Sequence, residues 1–273
     1  MNSKDIIYHY TSLDALINIL KPDRNEKIYF WASHAEFLND PLEYKFALSL
    51  LKPSLEKYER ENSKHEELSK TLPANFGIRL LELAPGEPFL LSLSELPDDL
   101  SMWRAYGANG SGVSIGLDKN MLEKLGGGGN CNFLKCSYIE EENIVEMSNF
   151  WNSIYDALPD FIKEGSIDGK YALNFFKILS HCFRLKNKSY SSEIEWRFCR
   201  YEWKENINYR MKNGLVVPYS KLPFDKNIIR EIWIGPSAKA DLSKKAIKMA
   251  LKTYSYTVDQ NFVQISTVPY RSL

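Results

Sequence analysis

Two short segments of this chain place polar side chains at every second residue, with apolar residues between them. That alternation constrains the fold more than any other feature. Ser92 and Ser94 flank Leu93 at the end of the apolar run Pro88 to Ser94, and Glu193, Glu195 and Arg197 enclose Ile194 and Trp196. Successive side chains of a β-strand point to opposite faces. Read as strands, both segments turn one face to a core and present hydroxyls or carboxylates on the other. A polar face on so apolar a strand needs hydrogen-bonding partners. Water, a neighbouring loop or a ligand would each meet that need.

A third polar patch, His9-Tyr10-Thr11, follows the short apolar run Ile6-Ile7-Tyr8. Thr11 or Ser12 can cap the next helix, which has Leu13, Leu16, Ile17 and Leu20 at helical spacing. Strands are predicted over 27–32, 88–94, 113–117, 132–139, 194–201, 206–210, 214–219, 229–234 and 262–268. Asn39-Asp40-Pro41 reads as a helix start, and two helices are expected over about 42–83, separated near Asn62-Ser63. Pro85-Gly86 reads as a turn. Asp118 can cap a short helix that leaves through Gly126–Gly129. A further helical stretch covers about 141–186, interrupted near Pro159 and Gly169, and a late helix covers 242–252. The mixed order of strands and helices points to an α+β fold rather than a regular βαβ sheet. No repeat or long linker divides the chain, so 1–273 reads as a single α+β domain with helical insertions at about 42–83 and 141–186.

Composition narrows the function. Lys and Arg number 35, equal to Asp and Glu, so bulk charge does not call for a polyanionic partner. Four cysteines without a CxxC pair and four histidines argue against a zinc site, and no metal is expected. Pro22-Asp23 with Glu43-Tyr44-Lys45 mimics a metal-nuclease pattern, but that chemistry needs Glu and Lys together on a strand, and here they fall in a helix. The Gly126–Gly129 run lacks the Lys-Ser or Lys-Thr of a phosphate loop. Lys244, Lys245, Lys248 and Lys252 form a basic stripe on the late helix, either a solvated face or a contact for nucleic acid or phosphate. The start Met-Asn-Ser-Lys-Asp has no apolar signal core and no run of 18 apolar residues exists, so a reduced cytoplasmic protein without a membrane partner is expected.

Each polar patch has a structural explanation and a chemical one. His9 and Thr11 are a packed histidine and a helix cap, or a pair able to hydrogen-bond ribose hydroxyls. Met102-Trp103-x-x-Tyr106 puts two aromatics one helical turn apart, either stapling a helix to the core or forming a wall for a flat ring. Glu193 and Glu195 at strand spacing lie about 7 Å apart. One would stabilise positive charge while the other takes a proton. A carboxylate about 4 Å from a full positive charge is worth about 4 kcal/mol at an effective dielectric near 20, about a thousandfold in rate. The structural alternative is a Glu195–Arg197 ion pair on a solvated face, which contributes little.

Tyr8-His9-Tyr10-Thr11-Ser12, Phe37-Leu38-Asn39-Asp40-Pro41-x-Glu43, Ser92-x-Ser94, Met102-Trp103-x-x-Tyr106 and Glu193-x-Glu195-Trp196-Arg197 together resemble a widespread bacterial family of uncharacterised domains. The opening His-x-Thr is more distantly similar to ADP-ribosyltransferases that modify DNA, and to their His-Tyr-Glu group. Ser-x-Ser and Glu-x-Glu are more like the Arg-Ser-Glu group, although no Arg stands where that group has one. The resemblance implies a split, strongly bent β-sheet with peripheral helices clasping NAD, which would be consumed as substrate. It implies that His9 and Thr11 hold ribose, that Ser92 and Ser94 brace the NAD site, and that Tyr106, with Trp103 beside it, stacks on nicotinamide. Glu195 would be the catalytic carboxylate and Glu193 would orient or deprotonate a nucleic-acid or protein acceptor, in a toxin or anti-phage role. A non-catalytic nucleotide- or nucleic-acid-binding module, or an NAD glycohydrolase, are the alternatives.

Overall fold

Strand β3 (Glu87–Ser94) organises the molecule because it has three neighbours. Strand β8 (Glu195–Glu202) runs antiparallel along its whole length, from Glu87 opposite Glu202 to Ser94 opposite Glu195. That occupies one edge, so the other two neighbours share the second edge. Strand β1 (Ile6–Thr11) takes only the end of β3, with Tyr8 opposite Ser94. Strand β2 (Lys27–His34) takes only the beginning, with Ser33 and His34 opposite Leu90 and Phe89. The sheet therefore forks over residues 91–93, where neither β1 nor β2 pairs with β3.

The computed structural model describes residues 5–38, 43–63, 68–82, 86–126, 131–139, 150–152, 155, 172–212, 214–237 and 239–270. Beyond the fork, β1 pairs with β4 (Val113–Asp118), β4 with β11 (Ile229–Ile234), and β11 in parallel with β12 (Val263–Ile265). On the other arm, β2 pairs with β10 (Leu215–Asp225), and β10 with β9 (Asn208–Lys212), which ends that arm. Strand β5 (Cys131–Lys135) pairs with β8. The ten strands form one mostly antiparallel open sheet. A separate two-stranded parallel sheet joins β6 (Ser137–Ile139) to β7 (Leu185–Asn187).

Helix α1 (Leu13–Leu20) starts where the Ser12 hydroxyl accepts from the Ala15 N–H at 3.2 Å, so Ser12 rather than Thr11 is the cap. It buries Leu16, Ile19 and Leu20, while Ile17 is exposed, against the expected pattern. Helices α2 (Glu43–Ser49), α3 (Leu51–Glu61), α4 (Leu68–Thr71) and α5 (Phe76–Glu82) lie in the first helical insertion, so its described residues form four short helices where two were expected. Helix α6 (Leu100–Ala105) is capped by Asp99, and α7 (Lys119–Leu125) by Asp118, as its sequence indicated. Helix α8 (Ala172–Arg184) ends two residues earlier than the 141–186 stretch, because Leu185 turns into β7. Helix α9 is Ala240–Thr253. The Asn39-Asp40-Pro41 helix start, Pro85, Gly127–Gly129, Pro159 and Gly169 lie outside the described residues.

Two large cores hold the faces of the sheet, and a smaller cluster of Tyr8, Tyr10, Met102 and Trp103 seats α6. Leu16, Leu20, Ile247 and Leu251 pack on Ile7, Phe30, Phe89, Leu91 and Ile115. Leu51, Leu55, Trp151, Leu179 and Phe183 pack on Leu90, Cys199 and Tyr201. Paired residues of β3 and β8 on this second face change character along the strands. Leu90 opposite Cys199 is apolar, whereas Ser92 opposite Arg197 and Ser94 opposite Glu195 are polar. The core thus gives way to a polar patch beside the fork.

The loop after α6 borders that opening, and Gly112 lets it close: a Cβ there would sit 2.2 Å from the Thr11 carbonyl oxygen. Because the obstacle is backbone, relief requires β1 or the loop to move. Gly112→Ala is expected to cost about 1–3 kcal/mol. Urea unfolding should show a lower midpoint with an unchanged slope.

Candidate functional site

The fork opens into a cleft of about 810 Å³, lined among others by His9, Thr11, Ser92, Tyr106, Lys186, Glu193, Glu195 and Arg210. This is the size range of small-molecule and cofactor sites. His9 stands on β1. Its Nδ1 lies 3.0 Å from the Ser92 carbonyl, in the stretch of β3 that pairs with neither β1 nor β2. A carbonyl only accepts, so Nδ1 carries the proton and Nε2 is left as the acceptor. Burial lowers the His9 pKa, the Ser92 carbonyl opposes that shift, and the charge of Arg210 adds to it. The ring is therefore a neutral imidazole at pH 7, packed edge-on against Phe30.

Glu193 and Glu195 do converge, but not as successive positions of a strand. Glu193 ends a 3-10 turn, Lys188–Glu193; Ile194 is left-handed with φ 43° and ψ 53°; β8 begins only at Glu195. Ile194 is not part of the core that its expected position implied. What joins the carboxylates is Lys186 of β7, whose ammonium lies 2.5 Å from Glu193 Oε2 and 2.7 Å from Glu195 Oε2. The Arg197 guanidinium grips Glu195 with two bonds, Nε to Oε1 at 3.1 Å and Nη2 to Oε2 at 2.9 Å. Its Nη1 donates to the Phe183 carbonyl in the last turn of α8, where the helix dipole favours a cation. The Glu195–Arg197 pair thus exists, but it is buried, with side chains 6% and 3% exposed.

The small sheet completes this arrangement. Lys186 is opposite Tyr138, and the Glu195 N–H donates to the Tyr138 hydroxyl at 2.6 Å. Burial pushes the Tyr138 phenol up to about 12. The predicted single strand 132–139 breaks at Cys136, whose N–H bonds the Glu195 carbonyl, and that break creates β6.

Tyr106 follows α6 and its hydroxyl donates to Glu193 Oε1 at 2.8 Å, so it holds the carboxylate as well as lining the cleft. Burial, then the Glu193 charge, raises its pKa. Two expected ligand contacts are corrected. Trp103 is fully buried, donates to Asp98 at 2.6 Å and stacks edge-on with Tyr10, so it anchors α6 and does not line the cleft. Ser94 is also fully buried. It donates to the Glu193 carbonyl at 2.6 Å and accepts from the Leu96 N–H, which fixes the turn carrying Glu193.

Lys186, Arg210 and Lys212 are cleft residues that the motifs did not flag. Lysine in a strand and arginine on an edge strand are ordinary surface residues in sequence, and only the fold brings them here. Among the described residues no group of His, Cys, Asp and Glu is placed to hold a metal ion, and no helix is long and apolar enough to cross a membrane.

Burial raises the Glu195 pKa and Arg197 then Lys186 more than reverse it, from 4.5 to about 2. A depressed carboxylate stabilises the fold above its unfolded pKa, and that stability is lost as pH falls through the folded one. The contribution from Glu195 should therefore fade between about pH 4.5 and 2. Lys186→Met leaves two neighbouring carboxylates without their bridge and should cost roughly 3–5 kcal/mol at pH 7. The deficit should shrink in acid as a carboxyl protonates, and denaturant unfolding across pH would check this.

A family model described as "Protein of unknown function (DUF2971)" matches residues 102–198. No curated protein and no solved structure matches the chain. The matched stretch, from α6 into β8, carries Tyr106, Lys186, Glu193, Glu195 and Arg197, and through it the chain is similar to a family of uncharacterised domains.

Proposed function

We propose that the cleft is the active site of an ADP-ribosyltransferase-like enzyme that cleaves NAD and passes ADP-ribose to a nucleic-acid or protein acceptor. The observation that carries this reading is the convergence of His9, Ser92, Tyr106, Glu193 and Glu195 on one cleft at the fork of the sheet. His9 offers Nε2 as an acceptor for a ribose hydroxyl. Glu195, kept ionised by its two cations, faces the sugar whose C1′–N bond breaks. That electron pair leaves with nicotinamide. The acceptor's nucleophilic atom forms the new bond to C1′, and its proton goes to Glu193.

Glu193 suits the base role better than Glu195. Its side chain is 13% exposed against 6%, and it accepts from Tyr106 and Lys186. Glu195 accepts three bonds, nearly filling the roughly four acceptor positions of a carboxylate. That saturation also supports a second reading, a non-catalytic module that binds a nucleotide without splitting it.

The test is nicotinamide release from NAD by the purified protein, with and without DNA, RNA and cell lysate. Glu195→Gln, with its fold checked by circular dichroism, should lower release by about a hundredfold or more. Glu193→Gln should impair transfer to the acceptor more than hydrolysis by water. Release that no additive accelerates would assign a glycohydrolase. NAD binding without release would assign the binding module, and release unchanged in Glu195→Gln would remove that residue from the chemistry.

A further inference from the structure

At the β9 side of the cleft, Arg210 and Lys212 stand two residues apart on the terminal strand, so their side chains share one face. Both line the cleft. Arg210 is held in place. Its Nη2 donates to the Ser33 hydroxyl at 2.9 Å, and the guanidinium carbon lies 5.4 Å from the Trp31 ring and 5.7 Å from the Tyr219 ring. Its Nε is buried and has no hydrogen-bond partner. Among the described residues neither Arg210 nor Lys212 makes an ion pair, whereas Lys186 and Arg197 elsewhere in the cleft region are each matched to carboxylates.

A partly buried cation without an anion is costly, and a buried donor left unmade is costly too. The charge of Arg210 also adds to burial in lowering the His9 pKa. Aromatic rings pre-orient the guanidinium fork, the geometry that matches phosphate oxygens. Side chains two apart on a strand are separated by about 7 Å, which suits a diphosphate better than a single carboxylate.

We infer that Arg210 and Lys212 form an anion subsite that takes the diphosphate of a nucleotide ligand bound in the cleft. The subsite stands without the glycosyl-transfer chemistry. Only its assignment to the diphosphate of NAD rests on the function proposed above. In that case NAD lies along the cleft with its diphosphate toward β9 and its reacting sugar toward Glu193 and Glu195.

Calorimetric titration of the full chain with inorganic pyrophosphate, ADP-ribose and NAD tests this. Wild type should bind pyrophosphate and ADP-ribose, more weakly as salt rises. Arg210→Gln and Lys212→Gln should each weaken both by about tenfold or more. Lys212 is exposed on an edge strand, so its variant keeps the measurement meaningful should Arg210→Gln unfold. Absence of wild-type binding to all three ligands, or unchanged affinity in a folded Lys212→Gln and Arg210→Gln, would overturn the subsite. Binding of nucleic acid but of none of the three would overturn it as well. Diphosphate binding that depends on these residues, without nicotinamide release, would keep the subsite and remove the enzyme reading. NAD turnover with unchanged KM in both variants would do the reverse.

Discussion

The cleft follows from one constraint: β3 has a single free edge once β8 has taken the other, and β1 and β2 divide that edge between them. An antiparallel sheet normally leaves no room for a ligand within its own plane, because every interior backbone group is paired. Here the ladder is interrupted over residues 91–93, and the His9 imidazole supplies a hydrogen bond to the Ser92 carbonyl. The same interruption creates the opening, fixes the histidine tautomer and anchors the ring beside the gap. A substitution that closed the fork would remove all three features together.

The second determinant is charge balance. Glu193 and Glu195 carry two negative charges, Lys186 and Arg197 two positive ones, and all four are substantially buried. The sequence suggested a lone carboxylate acting on a growing positive charge with about 4 kcal/mol of effect. The neighbouring cations reduce that field. Lys186 and Arg197 keep Glu195 ionised, Lys186 and Tyr106 fix Glu193 in place, and the acceptor positions of Glu193 are the more accessible ones. On the proposed function, positioning and proton transfer would carry more of the rate enhancement than a bare Coulomb attraction.

Most strands were legible because their alternation is strong, and Asp118 capped the helix its position indicated. Convergence of the three polar patches followed from pairing that sequence order only hinted at. Other features were illegible for definite reasons. Glu-x-Glu looks like strand spacing, but the left-handed Ile194 removes Glu193 from the strand, and no residue-type signal marks a β-branched residue there. Trp103 and Tyr106 lie one turn apart, yet the helix ends between them at Ala105. The Trp ring points into the core and the Tyr toward Glu193. Lys186 sits in a three-residue strand after a helix, too short for periodicity to detect.

The distribution of cations gives the cleft a direction. Around Glu195 each positive charge is matched, and burial is offset by ion pairing. At β9 the positive charge of Arg210 is oriented by Ser33 and two aromatic rings but makes no ion pair among the described residues. A ligand that gained from both regions would need anionic groups at one end and hydroxyls able to donate to carboxylates and to the His9 Nε2 at the other. A phosphorylated sugar meets that description in one orientation only, because reversing it would set phosphate oxygens against Glu193. On the proposed function, the polarity of ligand binding would follow from which strand supplies which side chain. Strands β1, β3 and β8, with the small sheet, carry His9, Ser92, Glu195 and Lys186, and the terminal strand β9 carries Arg210 and Lys212.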